Sequence, residues 1–154
     1  MTIFRLTRQK YAHELSGYGA SLFGNRWNSK GIKMIYAAES RALAMAEVVV
    51  HITLANLPSD FMMVEIDVPD SLSIGTVERT KLAENWNTHP FQYFTQQMGD
   101  KFIRDQEHAI LKVPSAVVKG DYNYLINPIH PEFKKLSIKN ASHFPFDHRI
   151  FNEN

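Results

Sequence analysis

The chain has 154 residues, 44% of them apolar, with 17 basic and 16 acidic side chains and a formal net charge of +1. A chain of this length can bury enough surface to fold by itself, so we expect a single domain over residues 1–154. The even charge balance argues against a broad basic face for nucleic acid, and an aromatic fraction of 12% argues against disorder. Cysteine is absent, which excludes disulfides and thiolate metal sites and fits a reducing compartment.

Neither residues 1–6 nor the longest apolar stretch predicts a secretory signal or a membrane span. Residues 1–6 lack a basic stretch followed by an apolar one, and the longest mostly apolar stretch, residues 42–50, contains Glu47 and is too short to span a bilayer. We therefore expect a soluble, cytoplasmic protein with no membrane partner and no direct nucleic-acid partner.

In the first half of the chain, the apolar pattern predicts two strands and a helix between them. Residues 33–38 form a short apolar run after Gly31, typical of a buried strand. Ser40 stands where a helix N-cap is expected, and residues 41–52, rich in Ala, Leu and Met, predict a buried helix that is apolar nearly all round. In residues 61–68, Glu65 and Asp67 alternate with the apolar residues at 64, 66 and 68, which predicts a strand with one solvated face.

The second half predicts shorter elements. A helix should begin at Pro90 and close at Gly99, and Asp100 could cap a further helix through residue 108. Further strands are predicted at residues 110–118, interrupted at Pro114-Ser115, and at 122–126 and 133–138. Strands and helices that do not alternate strictly indicate the α+β class.

Residues 24–31, Gly-Asn-Arg-Trp-Asn-Ser-Lys-Gly, form the first candidate site. Glycine and asparagine permit the backbone angles of a tight loop that approaches a ligand closely, and the Arg26 guanidinium suits phosphate or carboxylate. The alternative is a surface loop in which Trp27 fills the core and Arg26 is solvated. The segment is not a P-loop, because it lacks the Gly-Lys-Ser/Thr ending.

Glu47 is the second candidate, since nearly all its neighbours in residues 42–50 are apolar. A carboxylate on a buried helix is costly unless it is paired or functional. The alternative is that Glu47 marks a narrow solvated face together with Ser40 and His51. Glu47 and His51 supply two metal ligands at most, so no metal site is expected.

Two later segments carry polar groups that could belong to a site. Ser115 follows Pro114 and could be displayed at a strand end, although such a serine is often a turn residue. It does not lie in a Gly-x-Ser-x-Gly motif. Residues 123–131, Asn-Tyr-Leu-Ile-Asn-Pro-Ile-His-Pro, are dense in amide and imidazole groups, although the alternative is a turn held by its prolines.

Taken in order, these segments closely resemble the RES family, which is named for an arginine, a glutamate and a serine. Here those residues would be Arg26, Glu47 and Ser115. Residues 123–131 resemble the C-terminal signature of the family, and residues 146–149, Phe-Asp-His-Arg, resemble its closing Phe-Asp-x-Arg. The resemblance runs from about residue 4 to residue 149. Asn25 departs from it, because members often carry a second glycine there.

The resemblance implies a fold similar to that of ADP-ribosyltransferases, with short-stranded sheets and flanking helices in one compact domain. It also implies the toxin of a toxin–antitoxin pair, which consumes NAD⁺ as a glycohydrolase or phosphorylase and releases nicotinamide. NAD⁺ is then a substrate, and no resident cofactor is expected. The implied partner is an Xre-type helix-turn-helix antitoxin that blocks the active site, and a homodimer is an open alternative.

Within this hypothesis, four residues are assigned to catalysis: Glu47, Arg26, Ser115 and Tyr36. Glu47 would stabilise the positive charge that develops at the ribose. Arg26 would bind the pyrophosphate, Tyr36 would stack on nicotinamide or bind its ribose, and Ser115 would orient the ribose or the nicotinamide amide. Substrate binding is assigned to Arg26, Tyr36, Ser115 and Asn127.

The sequence does not choose the acceptor, which could be water, phosphate or a protein side chain. In the last case the chain would be a protein ADP-ribosyltransferase with NAD⁺ as donor. Two further alternatives lie outside this chemistry: a catalytically inactive module that only binds an antitoxin, and an unrelated small-ligand binding module.

Overall fold

The computed structural model describes residues 1–151, in which seven strands form one mixed sheet. The strands are β1 Thr2–Arg8, β2 Ile35–Ala38, β3 Phe61–Asp67, β4 Ile74–Thr76, β5 Ile110–Pro114, β6 Tyr122–Ile126 and β7 Ser137–His143. Their order across the sheet is β4-β5-β6-β2-β1-β3-β7; β4 and β5 are parallel, and the other neighbouring pairs are antiparallel. Together with three α-helices, this sheet confirms the predicted α+β class.

The helices are α1 Tyr18–Phe23, α2 Arg41–Val49 and α3 Tyr93–Asp105. The predicted start of α2 is confirmed, because the Ser40 hydroxyl accepts a hydrogen bond from the Leu43 amide at 3.1 Å. The helix ends at Val49 rather than at residue 52, within a run of β-branched valines that disfavours helix. No helix within residues 1–151 has the length and apolarity needed to cross a membrane.

The expectation that α2 is buried all round is wrong. Only Leu43 and Ala44 among its residues are buried, and they pack against the sheet with Leu6 and Ala38. The remaining side chains of α2 are partly or fully exposed. One flank of the helix therefore stays open toward the space that holds the candidate site.

The sheet opens between β2, its central strand, and β1. β1 pairs with β3 along its whole length, from Thr2 to Arg8, whereas β1 and β2 pair only at Phe4 and Ala38. On its other side β2 is fully paired with β6. The unpaired part of the β1–β2 boundary leaves a gap, and side chains from both strands line a cavity there.

The segment predicted as two short helices around Gly99 is one helix, α3, that runs straight through the glycine. A Cβ at residue 99 would lie 1.6 Å from the Trp27 carbonyl oxygen. Gly99 is therefore needed for the close approach of α3 to the loop that carries Trp27, and it does not end a helix. Trp27 in turn packs against Trp86 in the core, with ring centroids 6.1 Å apart.

Two further boundaries differ from the predictions. The strand predicted at residues 133–138 is a 3₁₀ helix, Pro131–Lys135, followed by β7. Pro131 opens this helix, and His130 caps it through Nδ1, which accepts from the Glu132 amide at 3.0 Å. The strand expected to reach residue 118 ends at Pro114. β2, β3 and β6 form where predicted, whereas β1, β4 and α1 were not predicted.

Candidate active site

A cavity of about 690 Å³ lies beside the gap between β1 and β2. Its volume falls within the range of roughly 300–1,000 Å³ that is usual for small-molecule and cofactor sites. The wall is formed by β1, β2, β6, α2 with the residues that follow it, the loop before β2, the segment before α3 and the turn after β5. Polar and charged side chains in the wall are Arg5, Asn25, Arg26, Tyr36, Glu47, His51, Asn87, His89 and Asn123.

Glu47 projects from α2 into this wall and is partly buried. Its Oε1 atom accepts two hydrogen bonds of 2.6 Å, one from the Ser115 hydroxyl and one from the Asn123 amide. Within residues 1–151, no hydrogen bond or ion pair reaches Oε2. Glu47 therefore does not mark a merely solvated face: one oxygen is held by the protein and the other is free for a ligand.

Ser115 lies just after β5 and is only 3% exposed. Its Oγ accepts hydrogen bonds from the amides of Val117 and Val118, at 3.0 and 2.9 Å. With these acceptor positions occupied, the hydroxyl proton is directed to Glu47. Ser115 is thus a turn residue and a partner of the carboxylate at once. It is absent from the cavity wall, so the geometry favours orientation of Glu47 over contact with a ligand.

Arg26 lies in the cavity wall and is held by the segment before α3. Its Nη1 donates to the carbonyl oxygens of Trp86 and Thr88, at 2.9 and 3.1 Å. Burial lowers the pKa of the guanidinium, and the charge of Glu47 partly offsets this effect. Within the described chain, Nε and Nη2 make no hydrogen bond, so these donors remain for an anion. The alternative of a fully solvated arginine is not what the structure shows.

Tyr36 contributes a ring to the wall, but its hydroxyl is already engaged. The hydroxyl donates to Asn28 Oδ1 at 2.6 Å and accepts from the Trp27 amide at 3.1 Å. Burial raises the pKa of this phenol well above its usual range. Of the two expected roles, stacking of the ring is therefore favoured over a hydrogen bond to ribose.

Asn28 organises the loop behind these residues and was missed in the sequence. It is completely buried, and its amide group donates to the carbonyl oxygens of Ala20 and Ile32 at 2.9 and 3.0 Å. Together with its bond from Tyr36, it fixes the loop on which Arg26 stands. Its position inside the loop motif was the available signal.

Asn127 is not brought to the cavity. It is completely buried, its Nδ2 donates to the Ile103 carbonyl at 3.1 Å, and its Oδ1 accepts from the Ile129 amide at 3.0 Å. Its contacts tie the turn after β6 to α3. The asparagine that reaches the cavity from this segment is Asn123, which the sequence did not single out; an asparagine inside a strand is unusual, and that was the available signal.

No cluster of three or more metal-ligating side chains occurs among residues 1–151. The arrangement offers instead one fixed carboxylate, one arginine with free donors and one aromatic face around a cavity. Such a set can bind an anionic ligand and stabilise positive charge that develops beside the carboxylate.

Comparisons with known proteins agree with the motifs. The RES domain model matches residues 2–148. A "Prs ADP-ribosylating toxin" of Sphingobium sp. is 38% identical over 141 residues, covering 90% of this chain and 88% of that protein. A protein named "Toxin Res" of Yersinia enterocolitica is 35% identical over 152 residues, covering 97% of this chain and 99% of that protein.

A solved structure shows the same fold. A chain in the crystal structure of the Mycobacterium tuberculosis MbcT–MbcA toxin–antitoxin complex superposes with a TM-score of 0.71 and 21% identity. The match covers 93% of this chain and 83% of the other. At this identity the likeness supports the architecture of the sheet and helices, and no more.

Proposed function

The chain belongs to the RES domain family, and on that premise we propose that it is the toxin of a toxin–antitoxin pair that depletes NAD⁺ by cleaving the nicotinamide–ribose bond. The relatives named as toxins support the first part of the proposal. The single observation that supports the chemistry is Glu47, a carboxylate with one anchored and one free oxygen in the wall of a ligand-sized cavity.

Cleavage of this bond breaks the C–N bond with its electron pair leaving on nicotinamide, which departs neutral. The ribose carbon becomes positively charged, and a carboxylate held beside it lowers the barrier. Glu47 Oε2 is free to face that carbon or an adjacent ribose hydroxyl. The leaving group is cationic before cleavage, so no serine nucleophile is required.

The other groups bind and orient the dinucleotide. The free donors of Arg26 suit a pyrophosphate, where a guanidinium can bind two oxygens at once. The ring of Tyr36 offers a face for the nicotinamide. Ser115 acts by holding Glu47, which replaces the substrate contact expected from the sequence. NAD⁺ is the substrate, and the proposal requires no resident cofactor.

An NAD⁺-consuming toxin has to be held inactive in its host, so we propose that an antitoxin covers the cavity; the resemblance to the RES family implies that it is of the Xre type. We place the pair in the cytoplasm, where NAD⁺ is plentiful.

A homodimer is a further proposal; exposed apolar side chains on α1, Leu22 and Phe23 among them, offer a surface for it. Light scattering of the purified protein, alone and with antitoxin, measures both associations.

The experiment is NAD⁺ consumption by the purified protein, free of antitoxin, followed by chromatography of nicotinamide and the ribosyl product. It is run with and without inorganic phosphate, beside Glu47→Gln. We expect the variant to fold and to lose about 100- to 1,000-fold in rate, the scale of one electrostatic stabiliser. ADP-ribose identifies water as acceptor, and its 1″-phosphate identifies phosphate.

Wild-type-like activity of Glu47→Gln would refute the assigned role of the carboxylate. A folded protein that binds an antitoxin but neither binds nor consumes NAD⁺ would be an inactive module, and the proposed chemistry would be wrong.

A second function, protein ADP-ribosylation, is favoured by one observation: the Sphingobium relative is named an ADP-ribosylating toxin. The same cleavage site would serve, with a protein side chain as acceptor. Transfer of label from adenine-labelled NAD⁺ to protein in a lysate, with little free ADP-ribose, would distinguish this function from hydrolysis.

A further inference from the structure

Asn123 lies in the middle of the opened sheet, on β6, where it pairs with Ala38 of β2 on one side and Val113 of β5 on the other. Its side chain forms part of the cavity wall, and its Nδ2 donates to Glu47 Oε1 at 2.6 Å. The bond joins the sheet to α2 across 76 residues of sequence. Asn123 therefore contacts the carboxylate from a rigid element that is independent of Ser115.

The other half of the Asn123 amide has no hydrogen-bond partner in the part of the chain that the structure describes. Oδ1 is buried and accepts no hydrogen bond within residues 1–151. A buried acceptor without a donor costs free energy, and an apolar side chain at this strand position would avoid that cost. Turning the amide over would place Oδ1 against the Glu47 carboxylate. The orientation is thus set by the bond from Nδ2 to Glu47.

Two donors to Glu47 Oε1 restrict rotation of the carboxylate more than one donor does. With Ser115 alone, the carboxylate could rotate about its last side-chain bond, whose torsional preference is broad. The donors come from different places, the turn after β5 and the strand β6, and they meet at Oε1. Together they define the plane of the carboxylate and leave Oε2 as the oxygen turned away from the protein donors.

We propose that Asn123 is a positioning residue that acts through Glu47: with Ser115 it locks Oε1 and thereby aims Oε2 at the reacting ribose. The inference rests on the proposed NAD⁺ cleavage and adds a residue to it. Asn123 makes its contribution in the transition state, where the direction of the carboxylate matters, and contributes little to the affinity for NAD⁺.

The test is Asn123→Ala, measured as kcat and KM for NAD⁺, alone and combined with Glu47→Gln. We expect kcat to fall about 10- to 100-fold, as for a misplacement of about 1 Å, with KM little changed. In the Glu47→Gln background the same substitution should change kcat less than about twofold, because the group through which it acts is gone. Asn140→Ala, an exposed strand asparagine on β7, is the matched control and should keep wild-type kinetics.

Asn123→Val covers the case in which the alanine variant does not fold, since its β-branched side chain suits a strand and fills much of the same volume but carries no donor; its kcat should fall as far. An unchanged kcat in either variant overturns the proposal. A loss that persists in full in the Glu47→Gln background also overturns it, and would place Asn123 in contact with the substrate. If the unaltered protein leaves NAD⁺ intact, the proposed function fails first, and this inference falls with it.

Discussion

Ser115→Ala removes a hydroxyl that makes three hydrogen bonds, so we expect it to lower both stability and activity. The hydroxyl donates to the Glu47 carboxylate at 2.6 Å and accepts from the amides of Val117 and Val118. A hydrogen bond to a charged group is worth about 1.5–3 kcal/mol, and each deeply buried donor left without a partner costs about 1–3 kcal/mol.

These energies are not added in full, because Val117 is 37% exposed and the hydrogen bond of its amide is only partly buried. We therefore expect a loss of about 2–4 kcal/mol in the free energy of unfolding. For a domain of this size that corresponds to a fall in Tm of roughly 5–15 °C. Activity should fall about 10- to 100-fold through kcat, because the carboxylate loses one of its two anchors.

The assay is urea unfolding and steady-state kinetics of Ser115→Ala beside Ser21→Ala. Ser21 also donates one hydrogen bond of 2.6 Å, to the Tyr18 carbonyl, but in an exposed place. Its loss should cost less than about 0.5 kcal/mol. If Ser115→Ala were as stable as Ser21→Ala and as active as the unaltered protein, the hydroxyl would hold neither the turn nor the carboxylate, and the reasoning would be refuted.

Three other substitutions test neighbouring parts of the site. Arg26→Lys keeps the charge but loses the planar fork, so KM for NAD⁺ should rise about tenfold or more with a smaller change in kcat, and an unchanged KM would contradict pyrophosphate binding. Tyr36→Phe should keep most of the activity, since the hydroxyl faces Asn28 and not the cavity; a large fall in kcat with an unchanged KM for NAD⁺ and unchanged stability would show that the hydroxyl reaches the substrate and does more than hold the loop. Burial raises the pKa of Tyr36 in the folded state above its ordinary value of 10.0, so the neutral phenol contributes fully to folding stability below pH 10, and this contribution is lost as the pH rises further. Urea unfolding above pH 10 should therefore show a steeper fall in stability for the unaltered protein than for Tyr36→Phe. Gly99→Ala should prevent native packing of α3, because its Cβ would overlap the Trp27 carbonyl, and circular dichroism with a wild-type Tm would refute this.

The parts of the fold that the sequence predicts are those decided by local pattern. Ser40 caps α2 as expected, and β3 follows its alternation of apolar and acidic residues. Gly99 shows where local pattern fails to predict the fold. A glycine after a helical stretch predicts the end of the helix, but here the missing side chain allows the Trp27 backbone to pack against α3. That contact joins residues 72 positions apart, and no local window contains it.

The same distinction separates the site residues. Arg26, Tyr36 and Glu47 lie within 22 consecutive residues, on a loop, a strand and a helix that follow one another, so their proximity could be expected from the chain order. Ser115 and Asn123 reach Glu47 only because β6 lies beside β2 in the sheet. The family resemblance supplied Ser115, but it pointed to Asn127 in the following segment, and strand register decides that Asn123 is the asparagine that faces the cavity.

The energetic argument that singled out Glu47 also explains why the neighbouring strand carries an asparagine. A carboxylate among apolar residues requires compensation, and full compensation of both oxygens would leave nothing for a ligand. Both protein donors bind Oε1 of Glu47, and within residues 1–151 the side-chain oxygen of Asn123 is left without a hydrogen-bond donor. Buried polar groups are usually satisfied throughout, so an incompletely satisfied pair beside a cavity indicates function more specifically than the carboxylate alone. Asn123→Ala should therefore lower kcat with little net change in the free energy of unfolding, because loss of the bond to Glu47 and removal of the unpartnered oxygen oppose each other.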